Sequence, residues 1–197
     1  MKQEGRIVIE LQSPVLIRDP GINSEQAAAT IRDWVTGLPY IPAGVILKAI
    51  RQVSDLLRGV SKDKGELVDR VLGNREQEGM LWLGHAYFQG ISPALLAGAS
   101  MNNQNLFQHD VYDGMTKMVQ TWYGDKSVKA RAIADGLLME APFQWVGEPD
   151  QAMYDCLSAC CAGIRTIGEK TDDGLGCVKV MPDGVVLTKT NLKFLGG

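Results

Sequence analysis

The chain has 197 residues, a formal net charge of −3 and a pI near 5.4. Its composition, 45% hydrophobic and 22% charged, is ordinary for a globular protein with a sizeable core. The acidic balance argues against a protein that coats nucleic acid indiscriminately, because such binding depends on many basic groups that neutralise phosphates. Any site for a polyanion must therefore be a local patch.

The sequence indicates a cytoplasmic protein without a membrane span, a metal or a cofactor. No apolar run approaches the roughly 20 residues of a transmembrane helix, and "MKQEGRIVIELQ" lacks the apolar core of a secretory signal. The cysteines lack the CxxC pair of a typical zinc site and are far in sequence from His85 and His109. We expect reduced, buried thiols. The cysteines are Cys156, Cys160, Cys161 and Cys177.

The first part of the chain predicts one strand, a long connection with a short helix, and two longer helices. Alternating apolar residues indicate a strand over 6–12. A connection rich in proline and glycine follows over 13–42, with a short helix expected over 24–34, and connections of this length are often functional. Apolar residues at helical spacing predict a helix over 43–59, which ends at its final glycine, and a second over 65–74.

The second part predicts further strands and one helix. A strand is expected over 79–88, with His85 as a core or edge-strand residue, and a region without a clear period follows over 89–135. We interpret that region as an insertion of loops and weak hairpins. A strand over 137–148 precedes a helix over 149–168, which a Pro-Asp pair begins. Two short strands, "CVKVM" and "GVVLTK", then flank a Pro-Asp-Gly turn.

Without the insertion, the order is strand, helix, strand, strand, helix, strand, which is typical of the split βαβ of ferredoxin-like folds. We therefore predict an α+β protein with a ferredoxin-like (RRM-like) βαββαβ core. It would be a single domain over 1–197 with an inserted region at roughly 89–135. One sheet face would carry both helices, and the other would be free to bind. The fold hosts many activities, so it does not name one.

The stretch "GIRTIGEKTDDGLGCVKV" (163–180) combines four glycines with two lysines, an arginine and three acids. Two interpretations are open. It is either a flexible hairpin connection, or a loop whose backbone lies against a molecule outside the protein.

The segment "IRDWVTGLPYIPAGVILKAIR" (31–51), together with that glycine-rich stretch, resembles the RAMP superfamily of CRISPR-associated proteins. The likeness is greatest to backbone subunits of type III-like effector complexes. Such proteins carry an Arg-Asp-Pro-x-Thr-Gly-x-Pro-x-Ile-Pro-Gly segment, a helix with Ser-Ser, Lys and Arg, and a Gly-rich loop. The family's serines are replaced around Gly44 and Val45, and its lysine falls one place late, at Lys48. The first segment matches at Arg32, Asp33, Thr36, Gly37, Pro39, Ile41 and Pro42.

The resemblance implies a crRNA-binding backbone subunit of a CRISPR effector ribonucleoprotein, which holds the guide by its sugar-phosphate backbone for target recognition. The implied partners are crRNA, a target RNA or DNA, copies of the chain itself and other effector subunits. In RNA-cleaving relatives the catalytic aspartate lies six residues before the matched aspartate, where this chain has Ala27. A methyl group cannot coordinate a metal or assist proton transfer. We expect no nuclease activity, although Glu25 could substitute after a small loop shift.

Two groups of residues are candidates for RNA contact. The helix that begins at Ala43 has free amides that suit a phosphate, and contacts to phosphates carry no sequence information, as an arbitrary guide requires. The phosphate-contacting group is Lys48, Arg51, Gly168, Lys170, Gly174, Gly176 and Lys179. The other group would form a thumb that wedges between bases and consists of Lys117, Trp122, Lys126, Lys129 and Arg131. Without the resemblance, the same residues also fit a solvated helix face, an ordinary hairpin and a minor core around the tryptophan.

Two other functions stay open. The chain could be a guide-processing or target-cleaving endoribonuclease of the same superfamily; the processing enzymes often use a histidine. Neither His85 nor His109 lies on the first helix or in the glycine-rich stretch. A ferredoxin-like adaptor that binds no nucleic acid is the other, and the acidic pI favours it.

Overall fold

The structure, a computed structural model, describes residues 3–18, 30–33, 36–59, 61–89 and 112–182. This part of the chain is α+β, with antiparallel sheets. Its helices are α1 (Ala43–Arg58), α2 (Lys62–Leu72) and α3 (Gln151–Gly163). Its strands are β1 (Glu4–Leu11), β2 (Leu81–Leu83), β3 (Tyr87–Phe88), β4 (Thr116–Tyr123), β5 (Lys126–Ile133), β6 (Leu138–Trp145) and β7 (Val178–Pro182).

The main sheet has the strand order β2-β6-β1-β7, and β3 also pairs with β6. All of these pairs are antiparallel. The first strand therefore lies in the centre, with Ile7 opposite Ala141 of β6 and Ile9 opposite Val180 of β7. This order is compatible with a ferredoxin-like core. Strands β4 and β5 form a separate two-stranded sheet, the β4–β5 hairpin.

The core lies between one face of the main sheet and the helices. Successive side chains of a strand point to opposite faces, so Ile7 and Ile9 of β1 are buried while Arg6 is exposed. The buried face of α1 contributes Ile46 and Ile50 to the same cluster. The opposite sheet face carries more polar side chains. No helix within the described ranges is long and apolar enough to cross a bilayer.

The strand predicted over 79–88 is interrupted between β2 and β3. Ala86 leaves the main sheet and forms two backbone hydrogen bonds with Ile41, at N···O distances of 3.0 and 2.8 Å. His85 is exposed beside it, so the expectation of a core or edge-strand histidine is wrong. The reason is long-range pairing, because Ile41 lies far from Ala86 in sequence.

Several predicted element ends also differ from the structure. Of the helix expected over 24–34, residues 30–33 are extended instead, since Thr30 bridges Arg18 and Arg32 bridges Pro39. Residues 24–29 and 34 lie outside the described part, as does "GVVLTK". The first helix ends as predicted, but Gly59 has a φ of −70° rather than a left-handed conformation.

Side-chain caps set the first residues of the remaining two helices. α2 begins earlier than predicted because the hydroxyl of Ser61 accepts a hydrogen bond from the Lys64 amide. α3 begins where the Pro-Asp pair indicated. The Asp150 carboxylate accepts a hydrogen bond of 2.8 Å from the Met153 amide and one of 3.0 Å from Arg70.

We predict that Asp150→Ala lowers the free energy of unfolding by about 1 kcal/mol, because it removes this helix cap. Asp150→Asn keeps an oxygen acceptor and should retain most of the stability. The hydrogen bond from the Met153 amide holds the pKa of Asp150 below its usual value. The contribution is therefore full above the pKa of an unfolded aspartate and is lost as the pH falls through the native pKa. Urea unfolding of both variants at several pH values checks this, and equal stability of all three proteins would contradict it.

Candidate nucleic-acid interface

The β4–β5 hairpin concentrates basic charge within an acidic protein. Residues 116–133 contain four basic residues and one acid, Asp125, which gives this segment a charge of +3. The whole chain carries −3, so the rest of the chain carries −6. The described hairpin lies within the insertion predicted over 89–135 and has eight residues in each strand. It is thus a local basic patch of the kind that a polyanion site in an acidic chain would need.

One face of the hairpin presents apolar side chains to solvent. Met118 is 50% exposed and Trp122 is 52% exposed. Between them on the same face lies Gln120, which is paired across the strands with Lys129. Trp122 is therefore not a minor-core residue. An exposed indole beside an ammonium group is suited to stacking on a base near a phosphate.

The basic residues of the hairpin differ in how they are paired. Lys117 donates a hydrogen bond to Asp135, and Arg131 forms an ion pair of 2.6 Å with Asp113. Lys126 and Lys129 are exposed and form no ion pair with any residue in the described ranges. These two lysines are the most available cations of the hairpin.

The loop between α3 and β7 binds the backbone of the hairpin near its tip. One carboxylate oxygen of Asp173 accepts hydrogen bonds from the Thr121 hydroxyl at 2.8 Å and the Trp122 amide at 3.2 Å. The Lys170 ammonium donates to the Trp122 carbonyl and lies 4.0 Å from the centre of the Tyr123 ring. These hydrogen bonds, from Thr121 first, lower the pKa of Asp173. We call these contacts the loop–hairpin latch.

Two glycines of this loop combine a left-handed backbone conformation with close contact to a carbonyl oxygen of the protein itself. At Gly176 the φ is +77°, and a Cβ would lie 2.1 Å from the Ile167 carbonyl oxygen. At Gly168 the φ is +85°, and a Cβ would lie 2.6 Å from the Leu16 carbonyl oxygen. Gly174 has a φ of +81°, but its Cβ would meet no described atom within 4 Å. Of the three, Gly174 therefore faces open space.

The other predicted phosphate-contacting residues lie on different elements. Lys48 is exposed on α1, whereas Arg51 donates a hydrogen bond of 3.4 Å to the carbonyl of Leu72, the last residue of α2. Lys179 is exposed on β7, opposite Glu10, on the face of the main sheet away from the core. The structure thus brings Lys170 into contact with the hairpin that carries the thumb residues. Lys48, Arg51 and Lys179 lie on other elements.

The first turn of α1 is capped by a histidine that the sequence did not assign to it. The imidazole Nδ1 of His85 accepts a hydrogen bond of 3.0 Å from the Ala43 amide. Tyr40 and Tyr87 surround that ring, with centroids 5.1 and 6.5 Å from it. Partial burial and the Asp33 carboxylate raise the pKa of Tyr87. No local pattern signals this cap, because His85 is far from α1 in sequence.

The matched segment before α1 forms a tight turn. The Asp33 carboxylate accepts hydrogen bonds from the Thr36 amide at 2.8 Å and from its hydroxyl at 3.1 Å. The Asp33 amide donates to the Leu38 carbonyl at 2.8 Å and closes the turn. The aspartate and threonine of the motif are therefore explained by local hydrogen bonds.

The described part holds no cluster of potential metal ligands, and its cysteines form no disulfide. No three His, Cys, Asp or Glu side chains are grouped there as metal ligands. Three cysteines are buried and Cys177 is half-buried, and all four are free thiols. Burial raises the pKa of Cys161 to about 12, so this thiol is protonated at neutral pH. Glu25, Ala27 and His109 lie outside the described residues.

We predict that Gly176→Ala lowers the free energy of unfolding by about 2–4 kcal/mol, because the methyl group would clash with a backbone carbonyl. Gly174→Ala has the same backbone strain without the clash and should cost about 1 kcal/mol. Chemical denaturation of the two variants isolates the effect of the close contact. Similar losses for both would contradict the packing described above.

We also predict that Asp173→Ala loosens the hairpin, because it removes both hydrogen bonds to β4. The Trp122 amide should exchange with solvent several-fold faster in this variant. Asp172→Ala removes the neighbouring exposed carboxylate and serves as the matched control, with unchanged exchange. Hydrogen exchange followed by mass spectrometry measures both. Unchanged protection of the hairpin in Asp173→Ala would mean that the latch does not hold it.

The chain shares its fold with chains of solved CRISPR complexes. No protein-family model and no curated protein matches the sequence. A chain in the cryo-EM structure of the type III-B Cmr-beta bound to cognate target RNA is 13% identical, with a TM-score of 0.63 over 91% of this chain and 97% of that chain. A chain in the apo state of the type III-B Cmr-beta is also 13% identical, with a TM-score of 0.66 over 93% of this chain and 98% of that chain. A chain in a type IV-B CRISPR complex is 13% identical, with a TM-score of 0.60 over 94% of this chain and 92% of that chain.

Proposed function

We propose that the chain is a crRNA-binding backbone subunit of a CRISPR effector ribonucleoprotein. The observation that carries this proposal is the likeness of fold, which extends over 91–94% of this chain and 92–98% of chains in two type III-B Cmr-beta structures and a type IV-B complex. One of those structures contains a cognate target RNA. A likeness over nearly the whole of both chains fits one ferredoxin-like βαββαβ domain over 1–197, with the region 89–135 inserted as a thumb.

The hairpin supplies the chemistry for holding an RNA strand. Lys126 and Lys129 are exposed cations for phosphates, and Trp122 offers an aromatic face on which any base can stack. Phosphate contact and stacking both tolerate any sequence. This tolerance is what a subunit needs when it holds a guide of arbitrary sequence. The concentrated charge of the hairpin also explains how an acidic chain binds a polyanion locally.

The remaining predicted residues have two kinds of role in this proposal. Lys48 and Lys179 are exposed and are assigned to phosphates, whereas Arg51 shares its guanidinium between phosphate and the end of α2. The ammonium of Lys170 is directed at the hairpin, so its main contribution is to position Trp122. Gly174 is the position of the loop that an RNA backbone can approach closely.

The proposed subunit binds RNA without cleaving it. Ala27 occupies the place where the resemblance would put the catalytic aspartate, and a methyl group supports neither metal coordination nor proton transfer. The imidazole of His85 accepts a hydrogen bond from the first amide of α1. The proposed partners of the subunit are crRNA, the target strand, further copies of the chain and other effector subunits.

We predict that the intact protein, expressed with its guide, purifies with RNA of discrete length, which the 260/280 nm absorbance ratio and gel analysis would detect. The double variant Lys126→Glu/Lys129→Glu should retain at least about tenfold less RNA, because two phosphate contacts become repulsive. Lys62→Glu/Arg75→Glu makes the same change in net charge at exposed positions away from the hairpin and should retain RNA normally.

Other outcomes would overturn the proposal. Wild-type protein that elutes free of nucleic acid and binds no RNA at low salt would support an adaptor instead. Cleavage of a repeat hairpin by the protein alone would support a guide-processing enzyme. Equal RNA loss in both double variants would mean that net charge, not the hairpin, controls retention.

A further inference from the structure

A second cationic position lies beside the base of the hairpin, at Arg32. Its guanidinium carbon is 3.6 Å from the centre of the Tyr112 ring, so the two planar groups are in direct contact. The Arg32 side chain is nevertheless exposed, and it forms no ion pair with a residue in the described ranges. An exposed arginine that is fixed on one side and unpaired at its edge is a candidate anion-binding group.

Both members of this stack are held in place by the surrounding structure. The backbone of Arg32 bridges Pro39, next to the turn that the Asp33 carboxylate closes. Tyr112 is only 4% exposed and packs with Leu38, which belongs to the same turn. The guanidinium is therefore presented by a rigid support, and little conformational entropy remains to be lost when it binds.

A second arginine near the same tyrosine ring, Arg131, differs from Arg32 in its ion pairing. The guanidinium carbon of Arg131 lies 5.6 Å from the centre of the same tyrosine ring. Arg131, however, is bound to Asp113 at 2.6 Å and to the Thr116 hydroxyl at 3.1 Å, so its charge is largely compensated. Arg32 has no such partner among the described residues. Of the two cations at this ring, Arg32 is the one available to an external anion.

We propose that Arg32 binds a phosphodiester of single-stranded RNA through two parallel hydrogen bonds, with Tyr112 as its platform. A guanidinium that stacks through its face keeps its edge N–H groups in plane, which is the geometry that a phosphate accepts. The assignment rests on the proposed function and extends it, because the RNA would continue from the hairpin to the turn before α1. The stack joins these two parts of the molecule, since Tyr112 lies four residues before β4 and Arg32 immediately precedes the turn.

A phosphate fits this position better than a carboxylate of a partner protein. The Tyr112 stack lies at the base of a hairpin with a charge of +3, whose exposed face carries Lys129 and Trp122. A strand of eight residues is roughly 26 Å long. Cations and an aromatic spread over such a length suit an extended polyanion with bases, whereas an acidic side chain needs one position only.

The test is the binding of a fluorescent polyuridine RNA by the intact protein at a series of salt concentrations. Arg32→Ala should weaken binding by about five- to tenfold and reduce the slope of log K against log salt by about 0.7, the value for one phosphate contact to a single strand. Arg75→Ala removes another exposed arginine and should change neither quantity. Arg32→Lys should keep the slope but recover only part of the affinity, because lysine lacks the planar fork.

Variants at the platform separate stacking from charge. Tyr112→Phe keeps the ring and removes a buried hydroxyl that has no hydrogen-bond partner among the described residues, so it should bind RNA as the wild type does. Tyr112→Leu should weaken binding without changing the salt slope. If Tyr112→Leu unfolds the protein, as circular dichroism would detect, Tyr112→Phe and Arg32→Lys still test the stacking and the planar fork.

The outcomes distinguish this assignment from the proposed function. Wild-type affinity and slope in Arg32→Ala, together with weak binding by Lys126→Glu/Lys129→Glu, would overturn the role of Arg32 and leave the function standing. Normal RNA binding but failed assembly of Arg32→Ala with other subunits would assign Arg32 to a protein contact and likewise overturn the proposal. Absence of RNA binding by the wild type would overturn both.

Discussion

The contact between the glycine-rich loop and the hairpin holds the tip of the basic surface, whose base is fixed by two backbone hydrogen bonds between Val15 and Ile133. An isolated two-stranded sheet is marginally stable in water, so its direction has to be fixed by another part of the chain. Asp173 binds the Trp122 amide and Lys170 binds the Trp122 carbonyl, which holds both sides of one peptide segment. The loop in turn is tied to the segment after β1, where Gly176 donates to the Pro14 carbonyl at 2.8 Å. The segment after β1 thus holds the loop, and the loop holds the part of the hairpin that carries the exposed indole.

In the proposed function, this local basic charge explains how an acidic chain binds a polyanionic ligand. Long-range attraction by the whole protein would be weak, because the net charge is −3 and salt screens charges beyond about 10 Å. In the proposed function, binding would then come from a few cations near the strand, among them Lys126, Lys129 and the stacked Arg32. Contacts of this kind set affinity and register but read no bases. In the proposed function, discrimination between sequences is left to base pairing by the guide.

The sequence was sufficient for features that depend on local patterns. The alternation over 6–12, the apolar stripe of α1 and the Asp150 cap each predicted an element that the structure contains. Features that depend on distant pairing could not be predicted. The interruption between β2 and β3 depends on Ile41, and the cap of α1 depends on His85, neither of which has a local signal. The candidate site divides in the same way, since the family resemblance had already named the basic residues of the hairpin, but the contact of Arg32 with Tyr112 is visible only in three dimensions.

The central claim is that the exposed face of the β4–β5 hairpin lies against RNA. Ultraviolet cross-linking of the RNA-loaded protein, followed by mass spectrometry of the protein–RNA adducts, tests it most directly. The account predicts that the main adduct maps to the peptide that contains Trp122, because its indole is 52% exposed on that face. Adducts confined to α2 or to the exposed Trp82 of β2, with none on the hairpin, would contradict the account.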